Sequence, residues 1–231
     1  MSKKKSFSSP MKKYEHVLGI VQIPIHAAII PFGLVFILAI IDLGLSAPHI
    51  TLIHYTISFV YSIGFLFRFF RKSFSDFLGS FWRSVQSVVL GFAMYYALLI
   101  VLALVIGFFA EGENPNNEEV LRQARLNSNV MLVVSVMLAP IVEEGAFRGA
   151  LFGAIRKKSR IAAYIVSTLV FAVYHLWQYL VVGFSPELLV MLLQYIPPSI
   201  ALAWCYEKSE NIWSPILLHA AINAFAMIQL R

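Results

Sequence analysis

The sequence predicts an all-α fold, a polytopic transmembrane helical bundle of about seven spans, and three observations carry that prediction. Of 231 residues, 59% are hydrophobic and only 13% charged, with a mean hydropathy of +0.77, whereas a soluble domain carries about 25% charged residues. Apolar stretches of about 19 to 26 residues recur along the chain, each long enough to cross a bilayer core that needs about 20. Between them the basic residues fall in short clusters, as membrane orientation requires. The net charge of +6 is therefore topological, and no nucleic-acid partner is expected. The single cysteine, Cys205 beside Ala203 and Trp204, cannot form an intrachain disulfide and reads as an inert packed thiol.

Residues 1–16, with Lys3, Lys4, Lys5, Lys12 and Lys13 among serines and Pro10, are expected to form a basic cytoplasmic arm, solvated or facing lipid. The apolar stretch that follows, about 17–41, exceeds the roughly 7 to 15 residues of a signal-peptide core and lacks a small-residue cleavage site, so it reads as an uncleaved anchor. Its Gln22, Pro24, His26 and Pro31 predict a bent helix whose freed carbonyls are satisfied by neighbours. His26, with no charged companion nearby, reads as structural. A second span over about 52–70 ends on Arg68, Arg71 and Lys72. Residues 73–84 place Phe74, Phe77, Leu78, Phe81 and Trp82 at helical spacing, either as an interfacial helix or as a short aromatic-rich loop. A third span covers about 85–109, and 110–128 is the long polar connection, with Glu111, Glu113, Glu118 and Glu119 and a short amphipathic helix over 118–126.

The remaining spans fall at about 130–155, 161–182, 188–206, kinked at Pro197-Pro198, and 212–230. The fourth ends on Arg156, Lys157, Lys158 and Arg160. Taking the Lys/Arg clusters as cytoplasmic puts the N-terminus inside and the C-terminus outside. The chain then divides into the arm, an N-terminal membrane region over 17–128 with its interfacial segment and outer loop, and a C-terminal region over 129–231. No internal repeat or low-complexity tract is present.

Three polar groups interrupt the last spans. The first is Glu143-Glu144-x-x-x-Arg148. A carboxylate at the centre of a spanning helix costs about 2.5 to 3.5 kcal/mol on insertion scales and marks function by default. Glu144 and Arg148, four apart, share a helix face and can pair, whereas Glu143 points about 100° away and is free to face a cavity as a general base. The second group is Phe171-x-x-x-His175, followed by Trp177, Gln178 and Tyr179. His175 lies about 22 Å along its helix from Arg160, and Glu143 about 20 Å from Arg156, so the two share a depth. The third is His219-x-x-x-Asn223, again on one face and somewhat closer to the cytoplasmic side. A lone histidine or asparagine in a span is usually a satisfied interhelical hydrogen bond, but six polar residues at neighbouring depths favour a site. A carboxylate and a histidine can deprotonate a water for attack on a peptide carbonyl, while a second histidine and an amide donate to the oxyanion. Zinc held by Glu143, His175 and His219 is the metal alternative, although no His-Glu-x-x-His pair is present.

These three motifs, in this order on successive hydrophobic segments, resemble the CPBP family, the CAAX proteases and bacteriocin-processing enzymes also called Abi. The resemblance covers about 130–230, with every motif residue present. It implies an intramembrane endopeptidase, CAAX prenyl endopeptidase-like, in which Glu143 and His175 activate water, His219 and Asn223 form the oxyanion hole, and Glu144 with Arg148 supports the site. That assignment works without a protein-bound metal, which is the favoured reading, with zinc left open. The implied partners are a membrane-associated peptide or protein substrate and the lipid bilayer. The short loops and small size point to a bacterial plasma membrane. Two other classes fit the composition: a non-catalytic membrane protein, such as a bacteriocin-immunity or regulatory factor with an idle site, and a small transporter, which the absence of a repeat disfavours.

Overall fold

A computed structural model describes residues 7–41, 43–106 and 114–229. Among them every regular element is helical, and six helices are long and apolar enough to cross a membrane, by length and composition: α1 (Lys13–Ile40), α2 (Ala47–Gly79), α3 (Phe81–Ile106), α5 (Ser128–Arg156), α6 (Arg160–Val182) and the pair α7 (Pro186–Leu193) and α8 (Ile196–Ser209). A shorter apolar helix, α9 (Trp213–Gln229), falls where the seventh span is expected but is not among the six, and α4 (Pro115–Leu126) is the amphipathic helix of the polar connection. The polytopic bundle expected from composition is therefore what the chain forms. Glu111 and Glu113 of that connection lie outside the described residues, as do Lys3, Lys4 and Lys5.

The bundle is built around α5. Over half of its apolar window is enclosed by protein, 56%, against 6% in α1 and in α3, so α5 is a central helix and α1 and α3 face the hydrocarbon. It is not a regular helix: Val133–Leu138 and Gly145–Phe152 form wide π turns on either side of Ala139–Glu144. The first has a local cause. The Ala139 N–H bonds back five residues to the Val134 carbonyl, and Pro140 has no N–H to offer the next carbonyl, that of Ser135. The freed Ser135 oxygen accepts instead from Asn223 Nδ2 on α9, at 2.7 Å.

The same arrangement occurs in α1. There the Ile30 N–H reaches back to Ile25 within the wide turn Ile25–Ile29, and Pro31 leaves the His26 carbonyl without a helical donor. His54 Nε2–H on α2 donates to it at 2.8 Å. Gln22 Nε2 donates to the Ser58 carbonyl at 3.1 Å and to the Ser62 hydroxyl. The bent first span with carbonyls satisfied by a neighbour is thus realised, with α2 as that neighbour.

Three expectations change. Residues 7–16 do not lie free in solvent or lipid. Phe7 packs edge-on against Tyr206 and Phe152, Met11 is buried, and the carboxylate of the fully buried Glu15 accepts from the Lys12 and Phe69 N–H groups and from Arg68. His16 donates from Nδ1 to the Ala150 carbonyl at 2.9 Å and accepts from Lys157 at Nε2. The lysines dominate that sequence, but the residues between them supply the packing.

Residues 73–84 form neither a separate interfacial helix nor a loop. They extend α2 to Gly79, turn at Ser80 and open α3. The extension anchors α9, because Ser73 Oγ accepts the Ile212 N–H at 2.6 Å and Trp213 Nε1 donates to the Phe70 carbonyl. The sixth span is interrupted, not just kinked. A turn at Gln194-Tyr195 separates α7 from α8, and the two prolines occupy the first turn of α8, where a missing N–H is tolerated.

Candidate active site

The six residues singled out by sequence are held by α5, α6 and α9. Glu143 and Glu144 end the regular turn of α5, and the wide turn that follows carries Arg148 around to Glu144, Nη1 to Oε1 at 3.1 Å. Both side chains are fully buried. The guanidinium also stacks over the Phe171 ring, 4.2 Å from its centroid, and Nη2 lies 3.5 Å from the Ser199 carbonyl. The expected Glu144–Arg148 pair is present, and Phe171 of the second motif supplies its aromatic platform.

Glu144 Oε1 has a second partner, His219 Nδ1, at 2.8 Å. A carboxylate paired with an arginine only accepts, so the proton of this bond sits on His219 Nδ1 and its Nε2 points onward. Nε2 stands 4.0 Å from Glu143 Oε2. His175 is oriented by the same logic. Its Nδ1 donates to the Phe171 carbonyl at 2.8 Å, and its Nε2 stands 3.9 Å from Glu143 Oε2. The i, i+4 spacing of Phe171 and His175 is thus a self-contained device for aiming one nitrogen. Tyr195 stacks on the His175 ring at 4.4 Å and 23°, holding its plane.

Glu143 therefore points away from Arg148 and toward two imidazoles, as its place on the helix predicts. Its Oε2 is buried and makes no hydrogen bond. Its Oε1 accepts from the Tyr55 hydroxyl of α2 at 3.2 Å, and the Tyr174 hydroxyl interacts with both. Asn223 sits one turn beyond His219 and spends one amide hydrogen on the Ser135 carbonyl.

A zinc bound by Glu143, His175 and His219 at about 2.0 to 2.1 Å with tetrahedral angles would hold its ligand atoms about 3.3 Å apart. The separations here are 3.9 and 4.0 Å, and no three His, Cys, Asp or Glu residues among the described ones are grouped as a metal site. The same gaps suit a small hydrogen-bonding molecule, which spans two acceptors at about 2.8 Å from each.

Sequence reasoning missed Tyr55, Tyr174 and Tyr195. Tyr195 had a signal in its place just before Pro197-Pro198, where the helix breaks. Tyr55 had one in the run His54, Ser58, Ser62, a polar face at i, i+4, i+8 in an apolar span that opposes Gln22 and His26.

The fold and the site define a polytopic helical membrane protein with a buried glutamate–histidine centre supported by an arginine. Residues 125–225 match the family model described as the type II CAAX prenyl endopeptidase Rce1-like family. Over 121 residues the chain is 28% identical to "Putative membrane peptidase YdiL" of Bacillus subtilis (strain 168); the match covers 52% of this chain and 45% of that protein, so the chain spans about half the length of this relative. No solved structure matches. The C-terminal part of the chain is thus similar to the CAAX protease family of membrane proteins.

Proposed function

We propose that this protein is an intramembrane endopeptidase that hydrolyses a peptide bond of a membrane-associated peptide or protein by a metal-free glutamate–histidine mechanism. The observation that carries the reading is the buried, unpartnered Glu143 Oε2 facing Nε2 of both His175 and His219. With Nδ1 committed to the Phe171 carbonyl, a singly protonated His175 presents a bare Nε2. One water can then donate one hydrogen to Glu143 Oε2 and the other to His175 Nε2.

As the water oxygen bonds to the carbonyl carbon, one of its protons passes to Glu143 and the carbonyl π electrons move to oxygen. His219 faces that oxyanion. For Nε2 to donate while Nδ1 donates to Glu144, the ring carries both protons, and the two glutamates balance its charge. The second amide hydrogen of Asn223, not used on Ser135, is the other candidate donor. Collapse re-forms the carbonyl, breaks the C–N bond and returns the proton from Glu143 to the departing amine. Arg148 and Glu144 act through His219. In this reading residues 129–231 are the catalytic core, the N-terminus is cytoplasmic and the membrane is a bacterial plasma membrane. The resemblance and the basic clusters support this placement.

The test uses purified protein in nanodiscs with fluorogenic peptides, lipid-modified and unmodified, comparing wild type and Glu143→Ala with and without a strong chelator. Cleavage that vanishes in Glu143→Ala and survives chelation is the expected result. Loss on chelation restored by zinc would overturn the metal-free mechanism. Cleavage retained by Glu143→Ala would overturn the site, and no cleavage of any peptide would favour the immunity or regulatory class.

A further inference from the structure

The family match begins at residue 125, yet one hydrogen bond to the central carboxylate comes from α2. We propose that Tyr55 is a positioning residue for Glu143: by occupying Oε1 it fixes the carboxylate so that Oε2, and not Oε1, faces the two histidines. The kinetic part of this inference rests on the peptidase reading; the contact itself does not.

The Tyr55 hydroxyl donates to this carboxylate and the Tyr174 hydroxyl interacts with both groups, but such contacts fix the carboxylate only where the donor is itself immobile. Tyr55 is braced from several sides. Its ring meets His26 edge-on at 4.8 Å and His54 at 5.1 Å. Those histidines are locked to each other in a way that leaves little freedom. The Ser58 hydroxyl donates to the His54 carbonyl at 3.1 Å, so it accepts from His26 Nδ1 at 2.6 Å. His54 Nε2–H in turn donates to the His26 carbonyl that Pro31 leaves free, and the two rings stack at 4.3 Å. On the far side Tyr174 packs against Phe147, His175 and His26. The α1–α2 pair thus ends in a rigid tyrosine aimed at Glu143. Its polar content, His26, Ser58 and Ser62 buried at 3% exposure or less, is what that rigidity requires in an apolar span.

Packing alone would need only the ring, and Tyr55→Phe keeps it. Infrared difference spectroscopy in nanodiscs, with the Glu143 carboxyl bands assigned as those lost in Glu143→Gln, reads the contact directly and independently of any substrate. The expected result is a displaced Glu143 band in Tyr55→Phe with unchanged thermal unfolding. With a peptide that the wild type cleaves, kcat should fall about 10- to 100-fold while KM stays within about twofold, since misplacing a reacting group by less than an ångström costs in that range. An unmoved Glu143 band would overturn the proposal, as would a moved band with unchanged kcat. Should the wild type cleave no peptide, the peptidase reading fails and the infrared comparison still decides whether Tyr55 holds Glu143.

Discussion

Arg148 is the largest fully buried side chain among the described residues, and replacing it by methionine gives a worked test of how the site is held. At 3.1 Å and an effective dielectric constant of about 20, its attraction to Glu144 is worth about 5 kcal/mol. Removing one partner of a buried pair costs about 3 to 5 kcal/mol because the other charge is stranded. Arg148→Met also forfeits the stacking on Phe171, worth about 2 kcal/mol when desolvated, but methionine refills most of the space. The expected loss is therefore about 3 to 5 kcal/mol, roughly two to three and a half orders of magnitude in the unfolding equilibrium. Reversible unfolding in mixed detergent micelles, followed by tryptophan fluorescence, measures it. The diagnostic is the cycle with Glu144→Gln. Each single variant strands a charge, whereas the double variant strands none, so its loss should fall well below the sum of the two. Additive losses would refute the account and leave Arg148 acting through packing alone. Arg148 Nε and Glu144 Oε2 are both buried without a partner, so the pair is not built for stability only, consistent with Glu144 being shared with His219.

Three further perturbations test the scaffold. Asn223→Ala should cost about 0.6 kcal/mol and at most about 1.7, the range for hydrogen bonds between spanning helices; in a Pro140→Ala background, where residue 140 can donate to the Ser135 carbonyl, that cost should disappear. A cost that persists would place Asn223's partner elsewhere. Gly19→Ala puts its Cβ 2.5 Å from the Ala150 Cβ, and neither helix can yield locally, so it should destabilise by about 1 to 3 kcal/mol and open the contact between α1 and the Arg148 turn. Gly91→Ala meets the Leu218 Cδ2 at 2.6 Å, a branch that can rotate away, and should cost clearly less when both variants are unfolded in the same mixed micelles; equal losses would contradict the contrast.

What could be read from the sequence follows from which forces act at short range. The pairing of Glu144 with Arg148, the divergence of Glu143, and the partnership of Phe171 with His175 are all properties of one helix at a spacing of one or four, and each is found as expected. The burial of the arm was hidden because Phe7 and Met11 find their partners, Tyr206 and Phe69 among them, far along the chain. Tyr55 was hidden for a related reason: the polar face of His54, Ser58 and Ser62 marks a contact with another helix, but nothing within α2 announces that residue 143 lies across from Tyr55. Lysine-rich composition and apolar length describe how a segment meets solvent or lipid, and neither describes what it meets inside the bundle.

The two wide turns preceding a proline tie these halves together. In α1 the turn before Pro31 frees the His26 carbonyl, and in α5 the turn before Pro140 frees that of Ser135; each is claimed by a side chain of another helix, His54 in one case and Asn223 in the other. A regular helix would satisfy both carbonyls internally, and the apolar interior would then offer these side chains nothing to bind. The prolines thus turn a helix's own hydrogen-bonding capacity into crosslinks. One crosslink braces the tyrosine that reaches Glu143, and the other seats the helix that brings His219 to Glu144. The site's geometry is set by these crosslinks as much as by the motif residues, which is why substitution of Pro31 or Pro140, residues that carry no chemistry, should loosen the glutamate–histidine spacing itself.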